Sequence, residues 1–305
     1  MDLIRRRACK EGHDKAYSLL GLLPEEIRSK IPIRYDAPRE EAYTSFAKVL
    51  LEQPGFHVLT LAPSVSRLPG LPSWCPNLNS PGTMMPHWHH FTAGGVKDDS
   101  VPTPHFEVDS SNALRVPGIF VDTIKAIDPL PNLGPLLDNE EKAKEMLRFL
   151  ESHGAYLGVL LTLAGGVDRN GTRYKLSDLQ HDLEETKDYL LEYIKGSRVW
   201  GANTPLTAAL LQAWRGATRF TTENGHLGLG PDALRRGDRV AIFFTASCPF
   251  VVHETGSVGD FELVGPAYIH KYRDGKSFRH RIHQRQTRLS VLFDGVGGIL
   301  FFFSS

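Results

Sequence analysis

The most distinctive local chemistry in the chain lies in MMPHWHHF, Met84 to Phe91. In an extended segment His87 and His89 share one face, with Trp88 and His90 on the other. Imidazoles bind metals or move protons. No cysteine or acid stands nearby with ligand spacing, so no metal is expected here. Two readings stay open: histidines packed in a loop, or a pocket lining that transfers protons. A second candidate is FELVGPAYIHKY, where Tyr268 and His270 alternate on an expected strand and point the same way. A phenol beside an imidazole can hydrogen-bond a ligand carbonyl or pass a proton. It can equally be a satisfied structural pair. Trp74, in LPSWCPN, is either a core anchor or a flat wall for a ligand, as are Trp88 and Phe91. His280 and His283, in RHRIHQR, lie among cations, which disfavours a metal and fits solvent exposure.

Several familiar chemistries are missing. No G-x-G-x-x-G follows a strand, and no G-x-x-x-x-G-K-[ST] occurs. H-E-x-x-H and the nucleophile elbow G-x-S-x-G are absent too. Gly256-Ser257-Val258-Gly259 is one residue short of the elbow and reads as a hairpin turn. Nucleotide, metal-hydrolase and serine-hydrolase readings therefore lose weight, and no cofactor is expected.

The chain has 305 residues with 35 Lys+Arg against 35 Asp+Glu, a formal net charge of zero. A general nucleic-acid binder wants a basic excess, so no nucleic-acid partner is expected. No stretch reaches the roughly 20 apolar residues that span a bilayer. MDLIRRRACKEGHD turns charged by Arg5 and builds no signal-peptide core. The cysteines Cys9, Cys75 and Cys248 are odd in number and far apart. Together these features predict a cytoplasmic protein without a disulfide framework.

These residues need a frame. DKAYSLLGLL, Asp14 to Leu23, reads as a short helix ended by Gly21 or Pro24, and Pro38 to Glu52 as a longer one. Gln53 to Pro104 is rich in Pro, Gly, Ser and His and reads as irregular, anchored by Trp74, Trp88 and Phe91. Phe106 to Ile127 predicts a hairpin, with Pro117 at an edge or a bulge. Helices are expected over Asn139 to His153, within AYLGVLLTLAGG, over Ser177 to Gly196 and from Pro205 to about Arg215. Ser177 is the expected cap of the third of these. After Gly216 the period changes to two, and ATRFTTE, GHLGLG, DRVAIFFTA, PFVVHET and FELVGPAYIHKY predict five short strands. Such strands suit a small barrel. The ending LSVLFDGVGGILFFFSS is a final strand or a sticky edge. An acidic run from Asp178 to Glu192 and a basic one from Lys271 to Arg288 read as two solvated faces. The expected fold is α+β: helices packed on an irregular β region over 1–215, and a small C-terminal antiparallel β-barrel with a basic tail over 216–305.

Set out in order, several of these segments resemble fungal heterokaryon incompatibility (HET) proteins. DKAYSLLGLLPEEIRSKIPIRYDAPREEAYTSFAKVLL is similar to the stretch that follows that family's signature domain, through Asp14, Lys15, Tyr17, Leu19 to Leu22, Tyr35, Tyr43 and Phe46. LPSWCPN is similar to its "LPSWvPDW". RFTTENGHLGLGPDALRRGDRVAIFF resembles its "G-lGlgP--a--GD" run, and PFVVHE and FELVGPAYIHKYRDG resemble later motifs. The departures are Asn77 and Leu78, where the family has an acid and a second Trp, and Pro266 to Lys271 in place of "eaYvhG". The resemblance implies an N-terminal domain similar to the Toll/interleukin-receptor fold, linked to NAD cleavage and cell death. Met1 falls just before the link region, so that domain is expected to be absent and its catalytic residues do not carry over.

Two functions follow as expectations. The first is a cofactor-independent cyclase or isomerase of fungal secondary metabolism, including an intramolecular Diels–Alder cyclisation of an apolar terpenoid or polyketide. That chemistry needs a shaped cavity and one or two hydrogen-bond donors. His87, His89, Tyr268 and His270 would be the catalytic donors, and Trp74, Trp88 and Phe91 would bind the hydrophobic substrate. The alternative is an incompatibility or regulatory protein that recognises a HET-family protein without catalysis of its own. If one pocket exists, the Trp74 loop, the His87 to His90 loop and the Tyr268 strand should meet.

Overall fold

A computed structural model describes residues 9–52, 58–62, 68–80, 91–95, 106–128, 130, 140–154, 156–197, 204–256, 259–275 and 289–293. It is an α+β protein, as the periodicities predict. Among the described residues no helix is long and apolar enough to cross a membrane.

The N-terminal segment folds as short pieces: α1 (Asp14–Tyr17), a 3-10 turn (Leu20–Leu22) and α2 (Glu25–Arg28). Helix α3 (Arg39–Leu51) starts directly after Pro38 and carries Glu40 and Glu41 in its first turn, where the helix dipole favours acids. It buries Tyr43, Phe46, Ala47 and Leu50. The Tyr43 hydroxyl donates to the Gly12 carbonyl at 2.8 Å, which ties the helix to the chain start. A single turn, α4 (Val58–Leu61), follows.

Four helices form a second layer: α5 (Glu140–Gly154), α6 (Leu157–Leu163), α7 (Leu176–Ile194) and α8 (Pro205–Trp214). Their apolar stripes meet in one core of Met146, Leu150, Leu160, Leu183, Leu190 and Leu210, onto which Leu229 of the sheet packs. The cap of α7 is Lys175 rather than Ser177, and Ser177 instead lies inside the first turn, bonded to Asp178 at 3.0 Å. Thr204 caps α8 by accepting from the Thr207 amide, with Pro205 in the first turn. The Trp214 indole donates to the Leu163 carbonyl at 2.9 Å and fixes the end of α8 on α6.

Among the described residues nine strands build the sheet: β1 (Glu107–Val108), β2 (Leu114–Asp128), β3 (Ala217–Thr222), β4 (Leu227–Pro231), β5 (Arg239–Phe243), β6 (Phe250–Glu254), β7 (Asp260–Pro266), β8 (Tyr268–Ile269) and β9 (Leu289–Phe293). β2 is the hub. Leu114 to Gly118 pair with β9, Gly118 to Thr123 with β5 and Ile124 to Asp128 with β3, all antiparallel. Irregularities after Phe120 and Ile124 bend it between partners, as bulges do. From β5 the pairing continues to β6 and β7, and β7 runs parallel to β9. These pairings lead from β2 round to β2 again. β3, β4 and β8 form an open arm, so the sheet as a whole is not closed.

This corrects two details of the expected barrel. Its ring takes in β2 and β9 from outside the five anticipated strands, while β3 and β4 stand outside it. Pro117 is also not at an edge. It sits where β2 changes partner from β1 to β5, and there its carbonyl accepts from the Phe244 amide at 3.1 Å, a role that needs no N–H.

Alternation sorts the strands between two cores. Leu114, Val116, Ala241, Phe243, Phe250 and Val252 join α3 and Trp74 in one. Ile119, Val121, Val240, Ile242 and Val251 form the other with Phe220 and Ile269. Burial on both faces is why RVAIF reads as an almost continuous apolar run. In the arm, Phe220 lies opposite Gly228, and a Cβ there would stand 2.3 Å from the Phe220 ring. The ring occupies the space above the glycine.

Asp122 pins the arm to the hub. Its carboxylate accepts from the Thr123 amide at 2.9 Å and the Tyr272 hydroxyl at 3.2 Å. Burial pushes this carboxyl up, but bonds from Thr222, Thr123 and Asn224 outweigh it and hold the group below its usual range. A depressed carboxylate contributes stability above its unfolded value, and that contribution is lost as pH falls through the folded one. Asp122→Asn should therefore cost about 2 kcal/mol at pH 7. In urea unfolding at stepped pH, the gap between wild type and variant should narrow below about pH 4. A gap independent of pH would show that the charge contributes nothing.

Candidate functional site

The anticipated residues divide three ways. His87, Trp88 and His89 lie outside the described residues, as do His280 and His283. Trp74 is fully buried, and its indole N–H donates to the Asn112 carbonyl at 2.8 Å. It is a core anchor of the loop over residues 68–80, not a ligand wall. Phe91, Tyr268 and His270 do come together. The Phe91 and Tyr268 rings lie 5.4 Å apart, and the Tyr268 hydroxyl is 3.3 Å from His270 Nδ1. His270 is not on the strand, however. β8 ends at Ile269, and His270 opens a 3-10 turn (His270–Tyr272).

This node is built from neighbours that fix it. The Tyr268 ring passes directly beneath Gly166, where a Cβ would lie 2.3 Å from the hydroxyl oxygen. Arg173 stacks 4.9 Å over Phe91 and pairs with Asp274 at 3.0 Å, and Arg273 pairs with Asp274 at 3.1 Å. Tyr268 is 1% exposed. Burial pushes its phenol up to about 12, against the pull of Arg273. Burial, and then Arg273, hold the His270 imidazole below its usual range. A phenol this reluctant to ionise, packed between a backbone turn and two rings, serves to join α6, the Phe91 segment and the arm.

The open feature is elsewhere. A cleft of about 270 Å³ lies between the 68–77 loop and the β6–β7 hairpin. Leu68, Leu71 and Leu263 supply apolar wall, and Arg235, His253 and Glu262 line it as well. His253 and Glu262 are cross-strand partners, so they share a face. Beneath them lies Asp238, whose side chain is 1% exposed. One of its oxygens is 2.7 Å from His253 Nδ1 and the other accepts the Arg235 amide at 2.8 Å. The Arg235 guanidinium reaches His253 Nε2 at 3.3 Å.

Nothing in the sequence analysis singled out these four residues. PFVVHET reads as a strand, and that reading holds. One usable signal was present: His253 is the polar residue that breaks the apolar run of β6. Its partners come from the turn before β5 and from β7, which only strand pairing brings together.

Residues 184–287 match the Het-6 beta-barrel domain. That stretch contains β3 to β8, the Asp238–His253 pair and Tyr268. Over 68 residues the chain is 38% identical to heterokaryon incompatibility protein 6, OR allele, of Neurospora crassa. The aligned part is 22% of this chain, and the chain covers only 10% of that relative's length. No solved structure matches the chain. Both matches point to incompatibility and neither to secondary metabolism. They overturn the expectation of a cyclase or isomerase acting on a terpenoid or polyketide. The ordered likeness of the motifs, the domain match and the relative agree, and over the stretches they cover the chain is similar to heterokaryon incompatibility proteins.

Proposed function

We propose that this chain works in heterokaryon incompatibility as a recognition module, acting by contact with another protein, itself of the HET family, and not by catalysis. The observation that carries this reading is the match of residues 184–287 to the Het-6 beta-barrel domain. The geometry supports it in one further respect. The Tyr268 phenol is packed into the core and His270 is half-buried beside it, while the cleft at Arg235 and His253 is open for binding. Action would take place in the cytoplasm, where the contents of fused fungal cells mix.

The test is genetic. Two fungal strains are made that differ only in this gene, one carrying the chain and one lacking it. Fusions between them should give heterokaryons that grow poorly or die at the contact zone, while self-pairings grow normally. Heterokaryons as vigorous as the self-pairings would reject the reading.

A further inference from the structure

We propose that the cleft bounded by Arg235, His253 and Glu262 is a binding site for a free α-amino acid with an aliphatic side chain. This goes beyond the recognition reading and does not depend on it.

The argument starts from the proton on His253. A guanidinium only donates. Arg235 Nη1 lies 3.3 Å from His253 Nε2, so Nε2 must accept, and the ring proton sits on Nδ1. From there it is donated to Asp238 at 2.7 Å. The buried carboxylate, neutral imidazole and guanidinium thus form a relay that aims a fixed cation outward. Asp238 also holds the Arg235 backbone amide, so both ends of that residue are clamped to one carboxylate. The contact to His253 uses one of five guanidinium N–H groups. Among the described residues no carboxylate makes an ion pair with Arg235, which leaves its fork open to an oxyanion.

The opposite charge stands in the same cleft. Glu262 lies across the ladder from His253 and lines the same space. It also interacts within the protein, and a carboxylate offers about four acceptor sites, enough to take a ligand ammonium in addition. A lone anion would gain from Arg235 and lose to Glu262. A zwitterion gains from both. Leu68, Leu71 and Leu263 then face the remaining part of the ligand, which selects an aliphatic side chain. The volume of about 270 Å³ suits a molecule of that size rather than a nucleotide or a long acyl chain.

The experiment is calorimetry on the full 305-residue chain with leucine, N-acetyl-leucine and leucinamide. Leucine should bind saturably. The acetyl derivative, which has lost the ammonium, and the amide, which has lost the carboxylate, should each bind at least tenfold more weakly. Arg235→Gln should weaken leucine at least tenfold and make leucine and leucinamide equivalent. Glu262→Gln should make leucine and N-acetyl-leucine equivalent. Thermal melting confirms that each variant folds. Should R235Q fail that check, Arg235→Lys keeps a cation without the fork, and leucine should weaken severalfold. Absence of saturable binding at millimolar leucine overturns the proposal. So does equal binding of all three compounds, or variants that bind leucine as wild type does.

Discussion

Trp74→Ala should be the most damaging substitution of a single buried ring, lowering stability by about 3–5 kcal/mol. Trp74 is fully buried, and its indole N–H meets the carbonyl of Asn112, a residue at φ 66 in the turn before β2. Asp109 braces that turn, taking bonds from the amides of Ser111 and Ala113. The ring thus fastens the 68–80 loop to the start of the hub strand. Truncation leaves a cavity and an orphaned carbonyl together. Trp74→Phe keeps most of the ring area and loses only the bond, for about 1–2 kcal/mol. Urea unfolding of both variants checks the order. A Trp74→Ala loss under about 1 kcal/mol would show that the loop is not held by this ring. Leu71 and Cys75 of the same loop line the cleft, so the alanine variant should also lose its binding.

Gly166→Ala should come next. Gly166 has φ +73, where an L residue costs about 1–2 kcal/mol. Its new Cβ would also stand 2.3 Å from the Tyr268 hydroxyl and 2.4 Å from the ring carbon bearing it. Those atoms are the far end of a ring that is 1% exposed, so the clash cannot be relieved by moving into solvent. Overpacking adds about 1–3 kcal/mol, for a total of about 2–5 kcal/mol. The mechanism has its own check. In a Tyr268→Ala background the ring is gone, and the cost of Gly166→Ala should fall to the backbone component alone. Equal costs in both backgrounds would mean that the ring and the turn are not coupled.

The helices were legible because their signals are local. Pro38 and Pro205 mark their helix starts within one turn of chain, although the cap beside Pro205 is Thr204. Ser177 shows the limit of that reading. It has the right chemistry for a cap but stands two residues inside the helix, because the chain turns at Lys175. The strands after Gly216 were also visible, since RVAIF and DFELVGP carry their own alternation and runs. Membership of the ring was not. It depends on which of three partners each part of β2 takes, and nothing around Pro117 or Ile124 encodes a partner a hundred residues away. The site follows the same division. Phe91, Tyr268 and His270 were found by type and spacing, and they do meet. Their surroundings were invisible: Gly166 above the ring, and the burial that makes the phenol a poor acid. Arg235, Asp238 and His253 went unnoticed for the opposite reason. Each looks ordinary alone, and only the β5–β6 pairing makes them a relay.

The seam between β2 and β9 also dictates an order of assembly. Leu114 pairs with Phe293, and β7 finds its parallel neighbour in the same late strand. During synthesis β2 leaves the ribosome long before β9 exists, and chains grow at roughly 5–20 residues per second. Throughout that interval β2 and β7 each present an unpaired apolar edge, the kind of surface that recruits other strands. The helices over 140–214 and the β5–β7 ladder can form early from local contacts, whereas the final closure waits for β9 to be made. A nascent chain stalled before Leu289 would therefore carry a folded body with two sticky margins, a natural client for a chaperone.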